Sequence, residues 1–346
     1  MPRTIKVGVI GSGGISRVHL EGYQKSPYSE VLAVCDIDPA RAKQRAEQFD
    51  VPYWFDSADE LLKLREIQAV SICTPNYDHK GSTLKALRAG KHVLCEKPIA
   101  MNAREGQQMV AAAKKARKKL QIGLHMRFSA EAQYAKKVVE EGLIGKPYYA
   151  RSLSIRRRGV PSWGVFGQKK LQGGGPLIDI GVHAIDLTWY LMGCPKPVAV
   201  AGKTYRTIGD KPGHVGRFGP WDWKTYDVED FAVALIRFDN GATMTVESAF
   251  CVNLPEDVLG AHVVGDKGGV ATGPLKVQVE MGGHLVDCTP NDVKRVDAHH
   301  AEVMAFVDAV VNGKAVPVPG EQALWVQKII DAIYRSSEVN RELRIR

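Results

Sequence analysis

The sequence predicts an α/β protein in which a doubly wound parallel sheet comes first and an α+β domain follows. In the first third of the chain, short β-branched runs alternate with helical patterns, which is typical of βαβ units. The first run leads directly into a glycine-rich turn, and after about residue 124 the pattern changes to strands joined by turn sequences. Because 346 residues exceed what one core usually organises, we expect two domains, residues 1–124 and residues 125–346.

The strands of the first domain are predicted from apolar runs that suit burial on both faces of a sheet. Stretches of helical periodicity, Ala40–Gln48 and Tyr77–Ala89 among them, separate the runs. Right-handed crossovers would wind the strands into one sheet. The predicted strands are Ile5–Ile10, Val31–Cys35, Ala69–Cys73, His92–Cys95 and Leu120–Leu124.

The second domain begins with a helix at Ser129–Glu140 and a strand at Tyr148–Ile155, followed by a glycine-rich loop and another helix. Turn sequences such as Asp239-Asn240-Gly241 link the next strands, which favours antiparallel hairpins. We expect the last two helices to pack on that sheet. The predicted strands are Phe231–Phe238, Ala242–Ala249 and Val258–Val264, and the last helices are Ala298–Val311 and Gln322–Glu338.

The composition is that of a folded protein, with 45% hydrophobic and 25% charged residues. The N-terminal segment fits neither a signal peptide nor a membrane span, which predicts a cytoplasmic protein without a membrane partner. The six cysteines show no zinc-ligand spacing. The net charge of +9 alone would permit nucleic-acid binding, but the densest basic cluster, residues 114–119, closes a predicted helix. We therefore expect no nucleic-acid partner.

The glycine-rich turn after the first strand is the first candidate site. It consists of Gly11, Ser12, Gly13, Gly14 and Ile15, with Ser16 where a third fingerprint glycine would stand. Gly11 permits the tight turn, Gly13 lets a pyrophosphate approach the backbone, and the following helix N-terminus attracts its charge. The pattern indicates a Rossmann-type dinucleotide site; a plain glycine-rich turn is the other interpretation.

An acidic residue directly follows the second predicted strand. Asp36 stands about where a carboxylate binds the hydroxyls of the adenosine ribose, with Ile37 beside it. A carboxylate there repels a 2′-phosphate and favours NAD, while Arg41 keeps NADP as the less favoured alternative. Asp36 as a simple strand-end carboxylate is the other interpretation, and Asp38 before Pro39 is a candidate helix cap.

Further polar residues follow a later strand at the edge where open α/β sheets bind ligands. Thr74, Pro75 and Asn76, with His79 three residues on, are expected to border the cofactor. A plain turn with Asn76 or Asp78 as helix cap is the alternative.

The segment Glu96-Lys97-Pro98 carries the first candidate catalytic residue. Its position after a strand places Lys97 near the nicotinamide end of the predicted cofactor site, and the proline restricts the backbone and allows a cis bond. An ammonium beside the reacting hydroxyl stabilises developing alkoxide charge and carries the proton. This position distinguishes Lys97 from lysines that are solvated surface charges.

A polar stripe on an otherwise apolar helix supplies the second set of candidates. Asp179, His183, Asp186 and Tyr190 recur at spacings of four, three and four residues, which places them on one helix face. Charged groups on a buried helix favour a polar cavity. His183 is therefore the candidate proton acceptor, and Asp179 would hold the substrate or orient the imidazole.

Two other interpretations of this stripe stay open. Asp179 and His183 could form a hydrogen-bonded pair in the core, or they could ligate a metal. We predict no metal because no third ligand of the right type lies nearby in the sequence. The more distant candidates for such a ligand are Asp186, His299, His300 and Glu302.

These motifs, in this order, resemble those of the glucose-fructose oxidoreductase, inositol dehydrogenase and rhizopine catabolism family, abbreviated Gfo/Idh/MocA. The resemblance covers nearly the whole chain. Its specific part is Glu96-Lys97-Pro98 combined with the helix from Asp179 to His183 after two glycines. It implies a Rossmann domain followed by a large, open, mainly antiparallel sheet, through which the chain would form a homodimer or homotetramer.

The resemblance also implies roles for individual residues. In this family the residues matching Lys97, Asp179 and His183 lie at the substrate, and the glutamate matching Glu96 lies towards the nicotinamide ribose. Along the cofactor lie the residues that match Thr74, Pro75, Asn76 and His79.

Local features near the predicted pocket bear on substrate choice. Arg127, followed by Phe128, looks like the family's Arg-aromatic pair near the active site, where it would contact cofactor and substrate. Trp163 could stack on a sugar ring, and Arg156 or its neighbours Arg157 and Arg158 could bind a carboxylate or hydroxyls. Alternatively, Trp163 packs under a loop and the arginines face solvent or a subunit interface.

The predicted function is NAD-dependent hydride transfer between nicotinamide and a ring carbinol of a sugar, sugar derivative or cyclitol. One alternative is a sugar oxidoreductase, lyase or epimerase that recycles tightly retained NAD. Another is a regulator that binds a dinucleotide without catalysis. The presence of Lys97, Asp179 and His183 together argues against the regulator, which needs no proton-transfer groups.

Overall fold

The structure is a computed structural model and describes residues 4–345. The chain folds into two compact units. The first contains the described residues up to Phe128 together with Asp297–Leu324, and the second contains Ser129–Val296 and the described residues from Trp325 onwards. The boundary predicted after residue 124 differs from this division, because a short helix at 125–128 and a later segment belong to the first unit.

The first unit is built on a parallel sheet with helical crossovers. Its strands are β1 Ile5–Ile10, β2 Ser29–Cys35, β3 Tyr53–Phe55, β4 Ile67–Ile72, β5 His92–Glu96 and β6 Leu120–Gly123. Its crossover helices are α1 Gly14–Lys25, α2 Pro39–Gln48, α3 Ala58–Lys63, α4 Asn76–Arg88 and α5 Ala103–Ala116, and a 3-10 helix follows at His125–Phe128.

The strand order β3-β2-β1-β4-β5-β6 is that of a doubly wound nucleotide-binding sheet, so the predicted fold class is confirmed. The order reverses between β1 and β4, and the carboxyl ends of these strands therefore flank the crevice where such sheets bind ligands. The sequence missed β3 and α3. The strand β3 has only three residues, which is too short to show a periodic pattern, and the rings of Tyr53 and Trp54 are exposed.

The second unit is built on a larger mixed sheet. Its strands are β7 Pro147–Ile155, β8 Pro197–Tyr205, β9 Phe231–Phe238, β10 Thr243–Ala249, β11 Val258–Gly265, β12 Gly268–Thr272, β13 Leu275–Met281, β14 His284–Cys288 and, near the C-terminus, β15 Leu343–Arg344. The helices between residues 129 and 296 are α6 Ala130–Glu140, α7 Lys169–Gln172, α8 Pro176–Asp179 and α9 Gly181–Leu191.

The order of this sheet is β14-β13-β12-β11-β7-β10-β9-β8-β15. The predicted hairpin of β9 and β10 around Asn240-Gly241 is present. A hairpin of β10 and β11 was also predicted, and this was wrong, because β7 lies between them, parallel to β10 and antiparallel to β11. A turn sequence shows that the chain reverses, but not that an earlier strand has already taken the neighbouring place.

Two long helices, α10 Ala298–Val311 and α11 Gly320–Val339, follow β14 in the sequence. The prediction that α10 packs on the second sheet was wrong: it belongs to the first unit and packs on α1. There Val303 lies so close to Gly22 that a Cβ on this glycine would be 2.9 Å from the valine Cβ. The apolar stripe of α10 predicts burial, but it does not specify the surface that buries it.

The polar stripe predicted on one helix is divided between two helices. Helix α8 ends at Asp179, and α9 begins at Gly181 after Ile180. Gly181 lies against β10, where the hydroxyl of Ser248 donates to the carbonyl of Pro176. This close approach fixes the start of α9 on the sheet. Among the described residues, no helix combines the length and hydropathy that crossing a membrane requires.

Candidate active site

The glycine-rich turn connects β1 to α1 in the first unit. Gly11 has φ +94°, and a Cβ there would lie 2.6 Å from the carbonyl carbon of Cys73, so the turn requires glycine. At Gly13 and Gly14, by contrast, a Cβ would point into open space. No side chain of the described residues caps α1, which leaves its first N–H groups available to an anion. This open cradle fits the pyrophosphate of a dinucleotide.

The neighbours of the turn are ordered by hydrogen bonds. The amide of Ser12 donates to Oδ2 of Asp36 at 2.8 Å, and the hydroxyl of Ser16 donates to the carbonyl of Gly13 at 2.6 Å. Ile15 is half-buried at the start of α1, next to the core of the unit. The glycine turn and the carboxylate at the end of β2 therefore form one structure.

Asp36 lies at the carboxyl end of β2 and is 9% exposed. Its Oδ1 accepts the amide of Asp38 at 3.0 Å, and Arg41 lies 3.7 Å from the same oxygen. Asp38 caps α2 through the amides of Ala40 and Arg41, as the sequence predicted. Ile37 is 88% exposed beside them. Each carboxylate oxygen of Asp36 has a second lone pair, so it can still accept a ribose hydroxyl.

The turn after β4 is tied to the segment after β5. Thr74 and Pro75 precede α4, which begins at Asn76, a residue 9% exposed. His79 is buried, with Nδ1 2.7 Å from the carbonyl oxygen of Pro98 and Nε2 3.0 Å from that of Thr74. Burial lowers the pKa of His79, whereas its contacts with the two carbonyl oxygens act in the opposite direction. His79 therefore supports the site by joining these two segments. Neither Asn76 nor Asp78 is the helix cap, since Pro75 occupies that position.

Glu96 ends β5 and belongs to a buried chain of hydrogen bonds. Its Oε1 lies 2.8 Å from Nε2 of His19, whose Nδ1 lies 2.9 Å from Oγ of Ser71, which in turn lies 2.7 Å from the hydroxyl of Tyr23. Each contact in this chain joins groups that can act as donor and acceptor, so every one of these buried polar side chains has a partner.

The charge of Glu96 is stabilised by its surroundings. Burial raises its pKa, but the hydrogen bond and the electrostatic interaction with His19, together with the positive charge of Lys97, outweigh burial and bring the pKa to about 2. Glu96 is therefore a carboxylate at neutral pH. It also accepts the amide of Lys97 at 3.2 Å, and the following peptide bond, Lys97–Pro98, is cis. The half-buried Lys97 is thus the next residue after the buried carboxylate of Glu96.

Two further predicted or neighbouring groups lie in the first unit. Arg127 is 3% exposed and donates to Oε1 of Gln322 at 2.5 Å. The rings of His125 and His299 stack with centroids 3.6 Å apart. Burial and the neighbouring His299 lower the pKa of His125 to about 4, so this ring is neutral near pH 7. Arg127 is therefore buried, whereas the stacked pair of histidines is half-buried.

In the second unit, Asp179 is buried and His183 is half-buried at the α8–α9 junction. Asp186 is fully buried, and the ring of Tyr190 lies 4.7 Å from the ammonium of Lys136. The predicted stripe therefore includes both buried and accessible residues. Asp186 is buried among the packed side chains of the unit, and His183 is more accessible. Among the described residues, no group of three or more His, Cys, Asp or Glu side chains is arranged to hold a metal.

Arg156 and Trp163 lie near each other in the second unit. The guanidinium of Arg156 lies 5.7 Å from the ring centroid of Phe218 and 5.9 Å from that of Phe250. Trp163 is 56% exposed and meets Phe218 edge-on at 5.2 Å. An exposed indole with one fixed edge offers the apolar face that a sugar ring can stack on.

Comparison of the chain with known protein families agrees with this architecture. Residues 5–124 match the family described as an oxidoreductase family with an NAD-binding Rossmann fold, and residues 136–345 match its C-terminal alpha/beta domain. The chain belongs to the Gfo/Idh/MocA oxidoreductase family. The predicted family, fold class and NAD-binding oxidoreductase are thereby confirmed.

Several named relatives of this Gfo/Idh/MocA protein act on sugars and cyclitols. It is 34% identical to D-glucoside 3-dehydrogenase from Escherichia coli K12, over 99% of this chain and 97% of the relative. It is 28% identical to scyllo-inositol 2-dehydrogenase (NAD(+)) from Bacillus subtilis, over 91% and 88%. The solved aldose-aldose oxidoreductase from Caulobacter crescentus, complexed with glycerol, has a TM-score of 0.84 and 27% identity, and the match covers 99% of this chain and all of that one.

Sequence reasoning missed several supporting residues of this family member. Arg45 on α2 donates to the carbonyls of Ser12 and Gly13 at 3.3 and 3.1 Å, which braces the glycine turn from outside. His19 also went unnoticed. The helical spacing of Ser16, His19 and Tyr23 places them on one buried face of α1. A buried polar residue needs a hydrogen-bond partner, so this spacing could have identified His19. For Arg45 the sequence offers no such signal.

Two adjacent carboxylates in the second unit were missed as well. Glu229 is buried and accepts the amides of Gly175 and Leu177 at 2.9 and 3.1 Å and the hydroxyl of Tyr334 at 2.8 Å. It thereby caps the N-terminus of α8. Asp230 accepts three consecutive amides, Thr207 to Gly209, through one oxygen at 2.6 to 2.8 Å. Glu229 thus fixes the helix that ends at Asp179, and Asp230 fixes the loop after β8.

Proposed function

We propose that this protein is an NAD-dependent dehydrogenase that oxidises a ring hydroxyl of a sugar, sugar derivative or cyclitol. The observation that carries the proposal is the cofactor half-site. The glycine turn lies after β1, where the pyrophosphate of NAD would bind. The carboxylate of Asp36 lies at the end of β2, on the adenosine side, and Glu96 and Lys97 lie at the end of β5, on the nicotinamide side. The sugar and cyclitol dehydrogenases among the relatives support the substrate class.

The residues of the chain have distinct roles in this proposal. Bound NAD supplies the hydride acceptor. Lys97 and His183 handle the proton of the reacting hydroxyl, while Asp179 orients the substrate or the imidazole. The carboxylate of Glu96 accepts the main-chain amide of Lys97 and so helps to hold this residue in place. The cofactor contacts Gly11 to Ile15, Asp36, Ile37, Thr74, Asn76 and Arg127. The substrate contacts Arg156 and Trp163.

NAD is the proposed cofactor in preference to NADP. Arg41, the group that could bind a 2′-phosphate, lies 3.7 Å from Asp36 and 3.5 Å from Asp38. Its charge is therefore already balanced by two carboxylates, and a phosphate at this position would meet negative charge. The name of the scyllo-inositol relative, which specifies NAD(+), supports the same choice.

Replacement of Lys97 tests the catalytic part of the proposal. In Lys97→Met we expect turnover to fall by about 10²-fold or more, which is typical of losing a general acid or base, while NAD affinity stays within about twofold. The measurement is NADH absorbance during a screen of sugars, sugar acids and inositols against NAD and NADP. Lys115→Met, an exposed lysine at the end of α5, is the matched control and should retain full turnover. Normal turnover in Lys97→Met would exclude Lys97 as the proton-handling group.

A second candidate is a sugar oxidoreductase that retains and recycles its NAD, as the name of the Caulobacter crescentus relative suggests. The purified protein would then carry bound nucleotide. Oxidation of a first sugar would convert it to NADH, visible by its nicotinamide absorbance, and reduction of a second sugar would abolish that absorbance. A protein that purifies without nucleotide and needs added NAD for every turnover is the simple dehydrogenase. A cytoplasmic location and assembly into a homodimer or homotetramer stay predictions from the sequence.

A further inference from the structure

A groove in the second unit is lined by an excess of positive charge. Its lining residues are Arg157, Arg158, Val215, Arg217, Asn253 and Asp257. Three guanidinium groups therefore face one carboxylate, and the groove has a formal charge of 3 − 1 = +2. Such a groove concentrates anions from solution.

Two of the three arginines have fixed positions. The guanidinium of Arg158 donates to the carbonyls of Arg157 and Val252 at 2.6 and 3.1 Å and to Oδ1 of Asn253 at 2.6 Å. Arg217 donates to Oδ2 of Asp257 at 2.9 Å through a single nitrogen. Because a guanidinium has five N–H donors, Arg217 keeps several for a ligand.

The third arginine carries the uncompensated charge. The main-chain amide of Arg157 donates to Oδ1 of Asp257 at 2.8 Å, which holds its backbone beside the Arg217–Asp257 pair. Its side chain is exposed, and its guanidinium has no hydrogen bond or ion pair with any described residue. The carboxylate of Asp257 is thus shared by the Arg157 backbone and the Arg217 side chain, and the Arg157 charge is not neutralised.

The groove adjoins the predicted substrate residues of the same unit. Burial lowers the pKa of Arg156, the charge of Asp179 raises it, and Arg217 and Asp257 act on it as well. Arg156 therefore lies within electrostatic range of both Asp179 and the groove. The centroid of the Phe218 ring lies 5.7 Å from the guanidinium of Arg156 and 5.6 Å from that of Arg217. Because Trp163 packs on the same ring, the aromatic surface near Trp163 is continuous with the groove.

We propose that this groove is a subsite for an oxyanion carried by the substrate, either a phosphate on the sugar or a carboxylate on the group attached to it. The proposal rests on the proposed function, since it places the sugar ring at Asp179 and His183. Guanidinium groups bind carboxylates and phosphates through paired N–H donors, and Arg157 and Arg217 are the groove arginines with the most donors to spare.

Two matched pairs of sugars test the subsite. The first pair is glucose 6-phosphate and glucose, and the second is 4-carboxyphenyl β-D-glucoside and its neutral amide, 4-carbamoylphenyl β-D-glucoside. Binding is measured by ligand-observed NMR titration without NAD, in 50 mM and 500 mM NaCl. At low salt we expect the anionic member of one pair to bind about fivefold more tightly, the effect of about 1 kcal/mol from an exposed charge pair, and less so at high salt.

Arg157→Gln should abolish this preference, because Gln keeps a similar length without the charge. The variant leaves no partner unsatisfied, so the fold should be retained. Arg341→Gln, an exposed arginine elsewhere in the second unit, is the control and should keep the preference. A preference within the first pair assigns the subsite to a phosphate, and one within the second pair assigns it to a carboxylate.

Equal binding within both pairs would overturn the subsite, and so would an equal loss of preference in Arg157→Gln and Arg341→Gln. NAD reduction by the neutral sugars is measured alongside and is independent of this charge. Turnover without any preference would therefore overturn the subsite alone. A preference that depends on Arg157, without turnover of any sugar, would support the subsite and contradict the dehydrogenase.

Discussion

The carboxylate of Asp36 takes part in both the fold and the proposed choice of cofactor. It fixes the amide of Ser12 in the glycine turn at 2.8 Å, and it lies close to Arg41 at the end of β2. Because it is 9% exposed, little of this charge is screened by water. A single side chain therefore shapes the turn and determines the charge that an adenosine ribose would meet.

Asp36→Ser is expected to shift the cofactor preference towards NADP. The substitution removes the hydrogen bonds of a charged acceptor to the ribose, worth about 1.5–3 kcal/mol, so kcat/KM for NAD should fall by about tenfold or more. It also frees Arg41 for a 2′-phosphate. The measurement is the ratio of kcat/KM for NADP and NAD. Asp50→Asn, at an exposed position whose left-handed backbone asparagine tolerates, is the control and should leave the ratio unchanged. An unchanged ratio in Asp36→Ser would contradict the assignment.

At the scale of single residues, the sequence identifies candidate functional residues that directly follow a strand, such as Asp36 and Lys97. It does not predict the partners that hold them. His19 lies 77 residues before Glu96, and their contact depends on how α1 packs on the sheet. Arg45 reaches the glycine turn only because α2 returns along the sheet.

The glycine turn shows how one element divides its roles between neighbouring residues. Gly11 meets the backbone of Cys73 and needs its positive φ, whereas Gly13 faces open space at φ −70°. The first glycine is required by the fold, and the second is required only if a ligand approaches it. Substitution by alanine can separate the two requirements.

Gly11→Ala should destabilise the protein by about 2 kcal/mol or more, because it combines a steric overlap with a strained φ. Gly13→Ala should change the unfolding free energy by less than about 0.5 kcal/mol and weaken NAD binding by about tenfold, since its methyl group would occupy the pyrophosphate space. Urea unfolding and calorimetric titration with NAD measure the two effects. If Gly13→Ala binds NAD as tightly as the wild type, the pyrophosphate does not lie at this turn.

The capping of α8 by Glu229 is the corresponding feature of the second unit. The amides of Gly175 and Leu177 bind different oxygens of the Glu229 carboxyl, and glutamine has only one oxygen, so in Glu229→Gln at least one amide is left without a partner. We expect a loss of about 1–3 kcal/mol in the free energy of unfolding. Tyr334→Phe removes one donor to the same carboxyl and should cost about 1 kcal/mol. Urea unfolding of both variants is the measurement, and wild-type stability in Glu229→Gln would disprove the capping role.

The same residue predicts a dependence of stability on pH. Burial raises the pKa of Glu229 above its ordinary value of 4.5, so the folded state holds this proton more tightly than the unfolded state does. The contribution of Glu229 to stability is therefore complete below pH 4.5 and declines as the pH rises through the folded pKa. Between pH 5 and pH 8 the wild type should lose more stability than Glu229→Gln. An equal loss in both proteins would contradict the raised pKa.

The molecule as a whole consists of two units with separate cores, so ligands can be used to address each unit. NAD that binds the folded state at one hundred times its Kd should add about 2.7 kcal/mol to stability. Differential scanning calorimetry should show this as an upward shift of the transition that includes the first unit. Gly13→Ala should show a smaller shift at the same NAD concentration. A wild-type melting curve that NAD leaves unchanged would contradict the cofactor assignment.

The sequence by itself determined the parallel sheet, the order of its motifs and the family. These depend on local patterns: apolar runs, a glycine turn directly after a strand, and Lys97 directly after another. The tertiary structure decided which surface α10 covers, which strand lies beside β10, where the Asp179 helix is interrupted, and how Glu229 and Arg157 are partnered. The physical reason is that local periodicity fixes which face of an element is buried, whereas its neighbour is chosen by packing and hydrogen bonding between residues far apart in the chain.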